Sequence, residues 1–197
     1  MKTFRILFFL FALLLLGVAG LLAVNHTVVS PGREVGQQVD QLNGVAVYYN
    51  GRVGNVTGRN TTADGYNLGL KYQCVEFVKR YYYEHLDHRM PDSYGHARDF
   101  FDPSLADGSH NARRNLTQYT NPGQHKPRVD DLLVFAGTLF NKYGHVAIVS
   151  RVADDEIEII QQNPGPQGSS RATFALRQQK GKWSIANDRI VGWLRKE

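Results

Sequence analysis

The stretch "HVAIVSRVADDEIEIIQQN", His145 to Asn163, constrains the fold of this chain more than any other. Two runs rich in β-branched aliphatic residues flank a polar break, the pattern of antiparallel strands joined by a tight turn. With Ala153 to Asp155 as a three-residue loop, Val152 faces Glu156 and His145 faces Asn163, while Gln161 is a diagonal neighbour on the same face. Directly opposed residues have Cβ atoms about 4.5–5.5 Å apart. An Asn163 amide oxygen so placed would accept the Nδ1–H of His145 and leave Nε2 free as a base. Two plainer readings stand beside this one. A strand histidine is often bonded to a neighbouring carbonyl, and "NPGP" after the second run is turn chemistry that an Asn commonly starts.

The chain has a single cysteine, Cys74, in "LGLKYQCVEFVKRYYY". One thiol excludes an internal disulfide framework and leaves a core filler, an intermolecular link or a nucleophile. Cys74, Phe77, Val78, Tyr81, Tyr82 and His85 recur at the spacing of one helical face, with Glu76, Lys79, Arg80 and Glu84 on the other. Gly65, Asn67 and Gly69 upstream supply turn and cap chemistry, which sets Cys74 in the first helical turn. There the free N–H groups and the positive end of the helix dipole favour a thiolate and a lowered pKa.

The N-terminus carries Lys2 and Arg5 ahead of an uncharged apolar run from Ile6 to Val24. Residues 1–24 read as a signal peptide or as an uncleaved single-pass membrane anchor, since about 20 apolar residues cover a bilayer core. Either reading puts the rest of the chain outside the cytoplasm, in a periplasm or cell envelope. Residues 25–44 have sparse apolar positions and read as a linker, and residues 45–197 as one globular domain, expected to act as a monomer. The formal charge of +5 is spread out, without the Lys/Arg clusters that mark nucleic-acid binding. A basic exported domain suits an anionic polymer such as a bacterial wall. No cofactor motif is present. Among the seven histidines, His85 and His88 share a helix face but lack the further ligands of a metal site, and they read as cations near the helix C-terminus.

A cysteine at a helix N-terminus, a histidine on a later strand and an asparagine on the next form the papain-type order of acyl transfer at amides. "YQCVEFV", "GHVAIVSRV" and "IIQQN" resemble the motifs of CHAP domains, the cysteine, histidine-dependent amidohydrolases/peptidases of the papain-like NlpC/P60 superfamily. "GHARDF", "PRVDDLLVF" and "IVGWLR" are similar to further segments of that family, so the resemblance spans roughly residues 45–197. It implies Cys74 as nucleophile with its N–H in the oxyanion hole, His145 as base and then acid, and Asn163 as the orienting residue. Two positions depart from the family: Gln161 stands where many relatives carry Glu, and Asp130 replaces the usual Gly before Asp131.

In "GLKYQCVEF" and "HVAIV…QN" the chain is also similar to the amidase half of bacterial glutathionylspermidine synthetase/amidase. Together with the leader, these resemblances imply an exported or membrane-anchored amidase or endopeptidase cutting peptidoglycan stem or cross-bridge peptides. Two alternatives are an amidase acting on a small glutathionylspermidine-like conjugate and a catalytically weak wall-binding domain, for which Gln161 in place of Glu would speak. The expected fold is α+β and papain-like, with the Cys74 helix at its N-terminal side packed on an antiparallel sheet of strands near 131–136, 144–152, 156–162 and 189–195. The segment 91–128, rich in Gly, Pro, Asn and Arg, reads as an irregular excursion flanking the cleft, with Tyr94, Arg98 and Asp99 at its rim and its deletion tolerated by the fold.

Overall fold

A computed structural model of the chain describes residues 2–27, 32–139, 141–165 and 168–197, with side chains in the first helix described from residue 5 to residue 20. The elements in chain order are α1 (Lys2–Thr27), β1 (Gln38–Leu42), β2 (Val45–Tyr48), β3 (Arg59–Thr61), β4 (Asn67–Leu70), α2 (Cys74–Glu84), a 3₁₀ turn at Ala97–Phe100, β5 (Ser109–Asn111), β6 (Leu116–Thr120), β7 (Leu132–Phe135), β8 (His145–Val152), β9 (Glu156–Ile160), β10 (Arg171–Gln179), β11 (Lys182–Ile185) and β12 (Ile190–Arg195). The architecture is mixed α/β and mostly sheet. In α1 the large apolar side chains from Ile6 to Val18 lie at the surface. Among the described residues no helix is long and apolar enough to cross a membrane.

Eight strands form one sheet in the order β11-β10-β9-β8-β7-β12-β6-β5, and every pairing in it is antiparallel. Its central strands are apolar on both faces. Leu132, Val134, Val146, Ile148, Ile160 and Leu194 pack towards α2, and Leu133, Phe135, Ala147, Val149, Ile159 and Trp193 build a second core on the other side. The period of two along a strand assigns successive residues to opposite cores, so these strands read as continuous apolar runs. Twist then curls the sheet on itself: Gly123, just after β6, exchanges both backbone hydrogen bonds with Trp183 of β11, at 3.0 and 2.8 Å.

Three expectations need correction here. The four strands and the Cys74 helix read from the sequence are present, but the stretch taken as linker contains β1, which pairs with β2. Segment 91–128 contains β5 and β6, and β6 lies beside β12 inside the main sheet, with Leu116 and Tyr119 buried. Removing the segment would strip the sheet of strands and not merely trim a rim. Finally, the polar face of α2 is not solvated. Phe77, Val78, Tyr81 and Tyr82 face the sheet, yet Glu76, Lys79 and Arg80 are buried as well, because β1–β2 and β3–β4 cover the far side of the helix.

The polar face of α2 survives burial through dense bonding, as buried charges require. Glu76 pairs with Arg80 at 2.7 Å and accepts from Asn60 and from Gln162, each at 2.8 Å. Arg80 also donates to the Ala46 carbonyl. Lys79 donates to the carbonyls of Asn67 and Ser93; burial draws its pKa down to about 7. Gly69 permits this packing. Its φ is +135°, and a Cβ there would lie 3.1 Å from the backbone of Glu76.

Candidate active site

The site lies where the N-terminus of α2 meets the first residue of β8. Gln73 precedes the helix in extended conformation, and Cys74 is its first residue, as the spacing predicts. Before β8, Gly144 has φ +76°, and a Cβ there would stand 2.6 Å from the Phe135 carbonyl oxygen. A glycine is therefore required one residue ahead of His145, which pairs with Phe135 across β7 and lies against its ring at 5.6 Å. Arg98 donates its backbone N–H to the Tyr143 carbonyl, and so lines this corner as expected. Asp99 turns back to accept from the His96 N–H, and Tyr94 is exposed beneath Arg59.

His145 is held by Gln161. Its Nε2 lies 2.9 Å from Gln161 Oε1, and the Nε2 of the same amide donates to the Ser169 carbonyl at 2.9 Å. A carbonyl only accepts, so the second bond fixes which end of the amide faces the imidazole. Oε1 also only accepts, and His145 Nε2 must carry the proton. The lone pair available to a reacting group is then on Nδ1, the reverse of the tautomer drawn from the sequence register.

Asn163 is elsewhere. Its Nδ2 donates to Val53 O at 2.9 Å and to Gln73 Oε1 at 2.7 Å. The reason lies in the hairpin. At the turn, Val152 pairs with Ile157 and Arg151 with Glu158, one residue off the expected register; a bulge at Ser150 then restores it, so that Val149 pairs with Ile159 and Ile148 with Ile160. The pairing does not continue to His145 and Asn163. After Ile160 the Gln161 N–H goes to the Ser170 carbonyl, and Asn163 turns into the left-handed region at φ +54°. Gln161, the diagonal neighbour, therefore meets the ring in place of Asn163.

Electrostatics differ from expectation too. Cys74 and His145 are each partly exposed, and the protein packed around them still shifts both groups towards their neutral forms. Burial pushes the Cys74 thiol up, against the opposing effect of the N–H groups of Val146, Val75 and Cys74 itself. Burial likewise pushes His145 down to about 4; the Gln161 contact opposes this and Arg189 adds to it. The substrate-free pair is a neutral thiol and a neutral imidazole, because desolvation outweighs the helix terminus. The sulfur rests against the Val146 N–H, one residue past His145, and is not hydrogen-bonded to the ring.

Two residues that bind the site together were not singled out from the sequence. Gln162, fully buried, accepts from the Tyr48 N–H at 2.7 Å and donates to the Gln73 carbonyl at 3.0 Å as well as to Glu76. Gln73 donates to the carbonyls of Val53 and Asn55. The signal was present in "YQC" and "QQN": uncharged amides flanking a reactive residue, able to donate and accept at once where a buried charge would need a partner. Among the described residues no group of three or more His, Cys, Asp or Glu is arranged to hold a metal ion. His88 is no dipole-facing cation. It is buried, bonded through Nε2 to the Arg114 carbonyl at 2.9 Å, and burial lowers its pKa. His85 lies tilted against the Tyr81 ring at 5.1 Å and 3.0 Å from the Asn43 amide.

Over 135 residues the chain is 27% identical to trypanothione synthetase of Crithidia fasciculata, an alignment covering 67% of this chain and 21% of that protein. The chain thus corresponds to about a fifth of that relative. The CHAP domain matches over residues 63–163, a span that includes Cys74, His145, Gln161 and Asn163 and just over half of the chain, and the chain belongs to the CHAP domain family.

Proposed function

We propose that this protein is a cysteine-dependent amidase with a papain-like arrangement, in which Cys74 on the leading turn of α2 is the nucleophile, His145 the base and Gln161 the residue that orients it. The observation that carries the reading is the Ser169–Gln161–His145 chain of hydrogen bonds, which leaves Nδ1 unprotonated beside the strand end where the thiol lies. CHAP domains are hydrolytic amidases and peptidases, and the match to that family supports the same chemistry.

The reaction starts from the neutral pair. A χ1 rotation carries the sulfur from the Val146 N–H towards Nδ1, which takes the thiol proton as sulfur attacks the amide carbon. Catalytic contacts commonly tighten only when substrate binds. The developing oxyanion is received by the unpaired N–H groups of the first turn of α2, at the positive end of its dipole. Nδ1–H then protonates the leaving amine, the C–N bond breaks and a thioester remains. Water, giving a proton to Nδ1, attacks the thioester; the acid departs and the thiol recovers the proton. Gln161 Oε1 steadies the transient imidazolium with a dipole, where a carboxylate would bring a full charge.

For the substrate, the leader and its exposed apolar α1 support an exported or anchored enzyme acting on peptidoglycan peptides. Similarity to trypanothione synthetase favours a second reading, a small peptide conjugate. The test is single-turnover hydrolysis of purified muropeptides and of a glutathionylspermidine-type amide by the full chain and by Cys74→Ala. Release from muropeptides by the wild type alone supports the first reading, and turnover of only the small amide supports the second. Equal release by Cys74→Ala would refute the cysteine mechanism, and binding to sacculi without release would leave a wall-binding domain.

A further inference from the structure

A cleft of about 300 Å³ opens directly behind the orienting residue, with walls that include Arg33, Tyr48, Asn50, Gln161, Asn163 and Ser169. Among the described residues that line it there is no Asp or Glu, and one cation, Arg33. Arg171, which follows the lining residue Ser170, is held by Asp40 at 2.8 Å and by Glu158 at 3.0 Å. Arg33 is exposed and no described residue pairs with it. Glu34, next to Arg33 in sequence, is not among the residues that line the cleft, and Asp40 is occupied by Arg171 and the Ser170 hydroxyl. The cleft therefore combines one unspent positive charge, tyrosine surface and backbone and side-chain amides, with no negative charge to repel an anion.

We propose that this cleft is a substrate subsite for a carboxylate-bearing peptide group, with Arg33 as its anchor. The proposal rests on the cysteine-amidase reading for its place in the reaction, and it adds a determinant outside the residues 63–163 that match the family. The floor of the cleft is built by Gln161 and Asn163, so a peptide bound there is anchored next to the residue that holds the base. A guanidinium suits the task because its planar fork meets a carboxylate through two parallel N–H···O bonds. Its exposure makes it a gate on affinity and specificity, not a participant in bond cleavage.

Two measurements on the full chain in detergent test this. In the first, calorimetry with Cys74→Ala compares γ-glutamylalanine with its carboxyl-blocked diester. Binding of the free acid should be at least about tenfold tighter, and Arg33→Gln in the same background should remove the difference, with Arg33→Lys recovering part of it. In the second, with Cys74 intact, Arg33→Gln should raise KM about tenfold for a carboxylate-bearing amide, leave kcat unchanged and leave the esterified amide unaffected. Equal binding of acid and diester, or equal losses for both amides, would overturn the subsite. Preference for the acid without hydrolysis of any amide would uphold the subsite while removing the amidase reading.

Discussion

The carboxamide of Gln161 is pinned at both ends, to His145 Nε2 and to the Ser169 carbonyl, each at 2.9 Å. One uncharged side chain thus decides the tautomer of the base, and a backbone carbonyl from the turn after β9 decides the orientation of that side chain. A dipole is all that Gln161 offers to a protonated ring, which is why burial prevails and the histidine stays neutral far into acid.

The acid limb of kcat/KM should follow from this. His145 works as a base only when unprotonated, so activity should hold as pH falls and fail near pH 4, well below the ordinary histidine range. Gln161→Glu places a negative charge at Nε2, raises the histidine pKa and should move the limb upward. Stability should respond with the same sign. A folded-state pKa below the unfolded one contributes stability that is present above about pH 6.5 and is lost as pH falls towards 4. Superimposable kcat/KM profiles for wild type and Gln161→Glu would count against Gln161 as the orienting group.

Alkylation of the thiol gives a second reading of the same electrostatics. With Cys74 pushed up by burial, iodoacetamide should react more slowly at pH 7 than with a free thiol, and the rate should climb only above the ordinary cysteine range. Rapid labelling at pH 6 would show that a thiolate pair forms after all. Cys74→Ala should abolish hydrolysis, with little change in the melting temperature because the volume removed is small.

How much of this was legible in the sequence depends on whether a feature is local. Cys74 at a helix start, His145 at a strand start and the apolar runs of β7, β8, β9 and β12 follow from spacing within a few residues. The bulge at Ser150 does not. There the Ser150 hydroxyl bonds Glu158 across the strands, and the bulge cancels the one-residue offset at the turn. Asn163 lies off the expected register because pairing stops at Ile160, and the local sign of that in the sequence is the Asn-Pro-Gly-Pro turn chemistry that follows. The burial of Glu76, Lys79 and Arg80 was hidden for a similar reason: charged residues at helical spacing read as solvated until β1–β4 are known to cover them. Strand β6 was missed because Thr117, Gln118 and Thr120 dilute its apolar pattern, although the fully buried Gln118 is satisfied by Asp102 and Asn111.

Asp130 offers a test of backbone strain. It sits at φ +73°, where a glycine would be unstrained, and its carboxylate accepts the Tyr81 hydroxyl at 2.5 Å. Asp130→Ala loses that bond and keeps a side chain in the left-handed region, so it should destabilise by about 2 kcal/mol. Asp130→Gly loses the same bond but relieves the backbone, and should be within about 1 kcal/mol of wild type. Urea midpoints at constant m-value measure both, and equal values for the two variants would mean that the backbone carries no strain here.

The last prediction separates Asn163 from Gln161. Asn163 ties the loop at Val53 to Gln73, the residue before the nucleophile, and makes no bond to His145. Asn163→Ala should lose two hydrogen bonds and leave Ala at φ +54°, for roughly 2–4 kcal/mol of stability in all, and Asn163→Gly should be milder by about 1 kcal/mol. In neither variant does the histidine lose its partner, so at matched folding kcat should fall less than about tenfold and the acid limb should not move. Gln161→Ala frees the ring and its tautomer, and should cost on the order of 100-fold in kcat together with about 1–3 kcal/mol of stability for the two hydrogen bonds lost. Because the two amides belong to separate networks, the double variant should show the product of the single effects. A non-additive double variant, or an acid limb displaced by Asn163→Ala alone, would restore Asn163 to the side of His145 in the working enzyme.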